Sequence, residues 1–227
     1  MISFLPLATT ALAVLFARAL FLRWRSKREA AHLLWWAVGV ACYGLGTALE
    51  GTIALAGSSV ALVKAWYVAG AILGAWPLAQ GSAFLLSPRT ARRLMWAVLP
   101  VVVAAAVLAL VSPVDASRLE PRRPSAALLA WSPARVLPPL INVYAALLLV
   151  GGAALSAVRF AVQKDGGGRA LGNALIALGA LLPAIGGTIA RHGGVEPLYV
   201  SEFLGLCLIG MGYRICIRSP TPVQELP

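Results

Sequence analysis

The chain has 227 residues, 60% hydrophobic and 12% charged, with a mean hydropathy of +0.84. A soluble domain of this size carries more polar surface, so the composition excludes one and points to a membrane bundle. The net charge of +11 does not mark a nucleic-acid binder, because the cations cluster in short segments between apolar runs.

Seven apolar runs are predicted to span the membrane, at about 3–22, 31–55, 62–86, 94–112, 136–160, 170–190 and 197–215. About 20 residues at about 1.5 Å each cover a hydrocarbon core of about 30 Å. Runs of this length exclude the weaker alternation of an outer-membrane barrel. The expected fold is therefore all-α, a polytopic bundle over 1–218 with a short tail, 219–227. No internal repeat suggests an inverted-repeat transporter.

The first run is not a signal peptide: no cation precedes it, and Arg23, Arg25, Lys27 and Arg28 follow it. "SPRTARR" after the third run carries Arg89, Arg92 and Arg93, and the stretch after the fifth carries Arg159, Lys164 and Arg169. With Arg18, Arg214 and Arg218, these make 13 of the 19 basic residues. Lys64, Arg118, Arg122, Arg123, Arg135 and Arg191 fall on the other side. Positive-inside bias then places the N-terminus outside and the C-terminus in the cytoplasm of a bacterial inner membrane. The long loop 113–135, rich in proline, serine and arginine, is expected to be external with little to bury. Its one amphipathic piece, "SAALLAW", is expected on the membrane surface with Trp131 at headgroup depth.

Small and ring-locked residues recur in the spans. Gly70 and Gly74 form a G-x-x-x-G pair, and Gly205, Gly210 and Gly212 punctuate the last span, so close helix contact is expected there. Pro77, Pro100, Pro138, Pro139 and Pro183 lie within spans and predict kinks.

Glu50 is the most informative single residue. A carboxylate inside a span costs about 2.5–3.5 kcal/mol on insertion scales, so it is paired or functional. Tyr43, Thr47 (or Gly46) and Glu50 make one polar stripe, which should face the bundle. Glu202 falls at the same depth in the last span, roughly 8 Å below the outer interface by helix rise. Lys64, Trp66, Tyr67, Asn142, Arg191 and Tyr199 lie in or near that outer layer. The expectation is an outward-facing polar pocket shared by Glu50 and Glu202, with Lys64 or Arg191 as the partner of Glu50. The competing reading is that these groups only pin helix packing.

Other chemistry is thin. His32 and His192 lie at opposite ends of their spans and cannot share a metal or bracket a haem. The last span has no lysine for a retinal, and there is no H-E-x-x-H, G-x-S-x-G or P-loop. Cys42, Cys207 and Cys216 form no C-x-x-C pair. No cofactor, metal or catalytic residue is expected. "RWRSKREAAH" is a topology signal that can also meet anionic lipid headgroups.

The order of a basic inner loop, "GTALEG", "KAWYVAGAILGA" and "SPRTARR" over 23–93 resembles the seven-helix sensory region at the N-terminus of some bacterial histidine kinases. The chain also resembles uncharacterised bacterial seven-helix membrane proteins. The first resemblance implies an outside N-terminus and a signal delivered to the cytoplasm. After Arg218 only "SPTPVQELP" remains, so no kinase domain is expected here. The leading expectation is a sensory or ligand-binding membrane module acting through a separate partner protein. A structural or anchoring subunit and a small transporter are the alternatives. The last needs a polar path to the inner side, where only Gln80, Ser82, Ser156 and Asn173 are offered.

Overall fold

The computed structural model describes residues 4–190 and 194–220. Seven helices among these residues are long and apolar enough to cross a membrane. They are α1 (Leu5–Ser26), α2 (Ala31–Ala56), α3 (Val60–Leu86), α4 (Pro88–Val111), α5 (Ser132–Ala161), α6 (Gly167–Ala190) and α7 (Glu196–Arg218). No strand forms among them, and one isolated antiparallel bridge joins Val114 to Leu129. The protein is thus an all-helical, multi-pass membrane protein.

Local chemistry sets the ends. Ser59 caps α3 by accepting the Leu62 amide at 3.2 Å, and Ser87 caps α4 by accepting the Thr90 amide at 3.4 Å. Pro88 follows as the first residue of α4, where its missing N–H costs nothing. The helix therefore starts before Arg89, and the three arginines expected in a loop sit in its opening turns. Gly57 ends α2 at φ +98, a conformation glycine adopts without a Cβ clash.

Two spans are not regular throughout. In α3 the residues Tyr67–Ile72 form a π turn, and a break precedes Trp76 and Pro77. In α5 the residues Leu147–Gly151 form a second π turn. The chain divides into two compact units, Met1–Ala145 and Ala146–Pro227, so α5 contributes to both.

In the first unit α1 packs on α2, α2 on α3, and α3 on α4. The core is built from Tyr67, Ile72 and Trp76 of α3, Val102, Ala105 and Ala109 of α4, and Ala134 and Ile141 of α5. The amphipathic stretch of the loop before α5 turns its leucines against the protein. The loop folds through short turns at Ala116–Arg118 and Ala126–Leu128 and buries little beyond Pro124, Leu128 and Leu129. Leu128 packs with Ile53 and Val63, while Leu129 enters the core. Both are 1% exposed, whereas Trp131 is 41% exposed. Burial of a leucine contributes about 2 kcal/mol.

In the second unit α6 packs on α7 along a stripe of small residues seven apart, Gly172, Gly179 and Gly186. A Cβ on Gly179 would come within 2.5 Å of the Gly205 carbonyl oxygen. One on Gly172 would meet the Gly212 carbonyl oxygen at 2.8 Å, and one on Gly186 would meet the Ser201 Cβ at 2.7 Å. Gly205 and Gly212 therefore serve close approach, as expected. Gly210 does not, since a Cβ there would meet nothing within 4 Å. Seven-residue spacing of small side chains is what lets antiparallel membrane helices touch through their backbones.

Candidate functional site

Glu50 is 2% exposed, as is Thr47 three residues before it. The face of α2 against α1 is set by Gly44, where a Cβ would meet the Ala13 Cβ, and by Gly51, where it would meet Leu7. Thr47 lies on that face, with its hydroxyl 2.9 Å from the Thr10 hydroxyl. The face against α3 is set by Gly39, near Leu78, and by Gly46, whose Cβ would fall 2.8 Å from the Gly70 Cα. At about 100° per residue, Glu50 and Tyr43 fall in the sector between these two faces. The polar stripe thus turns into the bundle, toward the seam of α1, α2 and α3, and away from lipid.

The part of α3 opposite Gly46 is its π turn. Gly46 lets α2 approach the backbone at Gly70, so an irregular stretch of one helix lies against a smooth stretch of the other. Within that turn the Leu73 amide donates to the Val68 carbonyl at 3.0 Å, and the Gly74 amide to the Gly70 carbonyl at 3.1 Å. The Ala71 carbonyl is met from α5, by Asn142 Nδ2 at 3.2 Å. An interrupted membrane helix needs such outside donors, because lipid offers none.

The other polar groups expected in the pocket have specific partners. Lys64 Nζ donates to the carbonyls of Leu110 at 2.7 Å and Ser112 at 2.8 Å. The ammonium therefore closes the C-terminal end of α4, where carbonyls are left without helical donors and the helix dipole favours a cation. These two carbonyls on α4 are where the structure places the Lys64 ammonium, one of the two partners expected for Glu50. The Tyr67 hydroxyl donates to the Ala134 carbonyl at 3.0 Å and ties α3 to the start of α5. Trp66 lies beside Tyr67, ring centroids 6.1 Å apart, and packs with the Ile53–Val63–Leu128 cluster. Lys64, Trp66, Tyr67 and Asn142 thus gather along α3 in the first unit. Tyr199, 2% exposed, and Glu202, half-buried, lie on α7 in the second unit. Arg191 lies outside the described residues.

Deeper along α3, Gln80 is fully buried and bridges two helices. Its Nε2 donates to the Ala91 carbonyl of α4 at 2.7 Å, and its Oε1 accepts from the Tyr144 hydroxyl of α5 at 3.1 Å. Gln80 is visible in the sequence as an amide inside an apolar run, but its partners are a carbonyl and a tyrosine far along the chain. No spacing rule reaches them. Trp35 contacts Trp76 edge to face at 5.5 Å and stacks on Phe84 at 6.1 Å, which fills the space beside Gln80.

No cluster of three or more His, Cys, Asp or Glu side chains able to hold a metal occurs among the described residues. No protein-family model, curated protein or solved structure matches the chain.

Proposed function

We propose that the protein is a sensory or ligand-binding module of a bacterial inner membrane, with its N-terminus outside and its C-terminus in the cytoplasm. In this reading it binds a small or amphipathic ligand from the outer side, carries out no reaction itself, and passes a conformational change to a separate partner. The observation that carries the reading is the Glu50 carboxylate, 2% exposed inside α2 and turned toward the seam beside the irregular middle of α3. An intramembrane ionisable residue marks a functional site by default. π turns concentrate at such sites, because they loosen a helix and re-aim its side chains. Thirteen of 19 cations on one side support the orientation.

A second reading is favoured by a different observation. Lys64, Tyr67, Gln80 and Asn142 all hold the chain's own backbone carbonyls. That is how a purely structural or anchoring subunit would use them.

Thermal stability of the purified protein, screened against lipids, quinones and small metabolites, separates the two. The sensory reading expects a compound that raises the melting temperature of wild type and raises it less in Glu50→Gln. Glu202→Gln, run beside it, asks whether the second unit shares the ligand. If no compound shifts wild type and Glu50→Gln only melts earlier, the carboxylate is a packing element and the structural reading stands.

A further inference from the structure

We propose that the groove between the start of α2 and the α3–α4 turn holds the headgroup of an anionic phospholipid. The groove has a volume of about 610 Å³ and is lined by Glu29, His32, Phe84, Leu85, Pro88 and Arg92, with Ala30 and Ala31 at its edge. It lies wholly in the first unit, at the end opposite Lys64, and is independent of the Glu50 site.

Its walls divide by chemistry. Phe84, Leu85 and Pro88 give an apolar side that suits the glycerol backbone and upper acyl chain. Arg92 gives a cation at the rim, exposed and with no ion pair or hydrogen bond of its own among the described residues. Its guanidinium presents a donor fork that fits phosphate oxygens. Beside the groove α3 meets α2 closely, because a Cβ on Gly81 would strike the Trp36 indole and come within 3.0 Å of the His32 carbonyl oxygen. His32 is in turn held edge-on to Trp36, with ring centroids 5.0 Å apart.

Charge complementarity selects the occupant. Arg89 and Arg93 flank Arg92, Arg23 and Arg25 end α1, and Lys27 and Arg28 follow in the turn to α2, against Glu29 as the one acid there. Arg28 lies over the Trp24 ring at 4.4 Å, an arrangement suited to headgroup depth. Clustered cations beside a span attract anionic lipid at about 1 kcal/mol per residue. A groove with an apolar wall and a cationic rim adds a position for one phosphodiester.

Native mass spectrometry of the detergent-purified full chain, mixed with equal phosphatidylglycerol and phosphatidylcholine, tests this. Wild type is expected to retain phosphatidylglycerol over phosphatidylcholine. Arg92→Gln should lose that preference by about fivefold, the equivalent of about 1 kcal/mol. Arg89→Gln, outside the groove lining, should lose clearly less, and Glu29→Gln should strengthen retention by removing the repelling acid. Equal losses in Arg92→Gln and Arg89→Gln would overturn the site, because attraction would then be diffuse. Displacement of the lipid by millimolar inorganic phosphate would overturn the lipid assignment in favour of a free phosphate.

Discussion

At the residue scale, polar side chains in this protein answer one question: what satisfies a backbone group that lipid cannot. Lys64 answers it for the end of α4. Lys64→Met should therefore destabilise by about 2 kcal/mol, since hydrogen bonds to a charged donor contribute about 1.5–3 kcal/mol. Lys64→Arg should restore most of it, as read by thermal unfolding in detergent; a Met variant as stable as wild type would remove the capping role. Asp115 gives a pH-dependent case outside the spans. Hydrogen bonds from Ser117, with the nearby Arg118 guanidinium, hold its carboxyl below the usual carboxylate range. A depressed folded-state pKa stabilises the turn above the unfolded carboxylate pKa, and the effect is lost as pH falls through the lower folded value. The stability difference between wild type and Asp115→Asn, read by thermal unfolding, should be constant above the ordinary carboxylate pKa and shrink as pH falls from there toward the lower folded value. A difference that does not change with pH would contradict it. Glu50, Tyr43 and Thr47 were legible in the sequence as one face of a helix. The destination of Lys64 was not, because the carbonyls it reaches lie 46 and 48 residues further along the chain.

At the element scale the spans were legible nearly throughout, since hydropathy reads length directly. Their interruptions were legible only in part. Pro77 marks the break in α3, whereas the π turn at Leu147–Gly151 has no proline within it to announce it. The burial of Leu128 before α5 was not legible, because it depends on distant Ile53 and Val63. Glycine spacing gives the sharpest contrast. Gly179→Ala places a methyl against the Gly205 backbone and should destabilise by about 1–3 kcal/mol, the usual cost of overpacking. Gly210→Ala meets nothing and should be neutral or slightly stabilising, because alanine favours helix. Equal melting temperatures for the two variants would mean that α6 and α7 do not meet through this stripe.

At the scale of the whole molecule, contact divides the chain into two units with different styles of packing. The first adds side-chain hydrogen bonds across an irregular α3 to the glycine contacts of α2, and the second joins α6 to α7 largely through glycine contacts. Small-residue packing favours rigidity, whereas an irregular helix held by a few polar bonds has more ways to rearrange. The central claim places the ligand in the first unit, beside Glu50 and the π turn. Amide hydrogen exchange in lipid nanodiscs tests it most directly, with and without the compound that raises the melting temperature most. The account predicts slower exchange at Val68–Gly74 on ligand binding and no change along the glycine stripe of α6. Protection confined to the second unit, or none in α3, would contradict it.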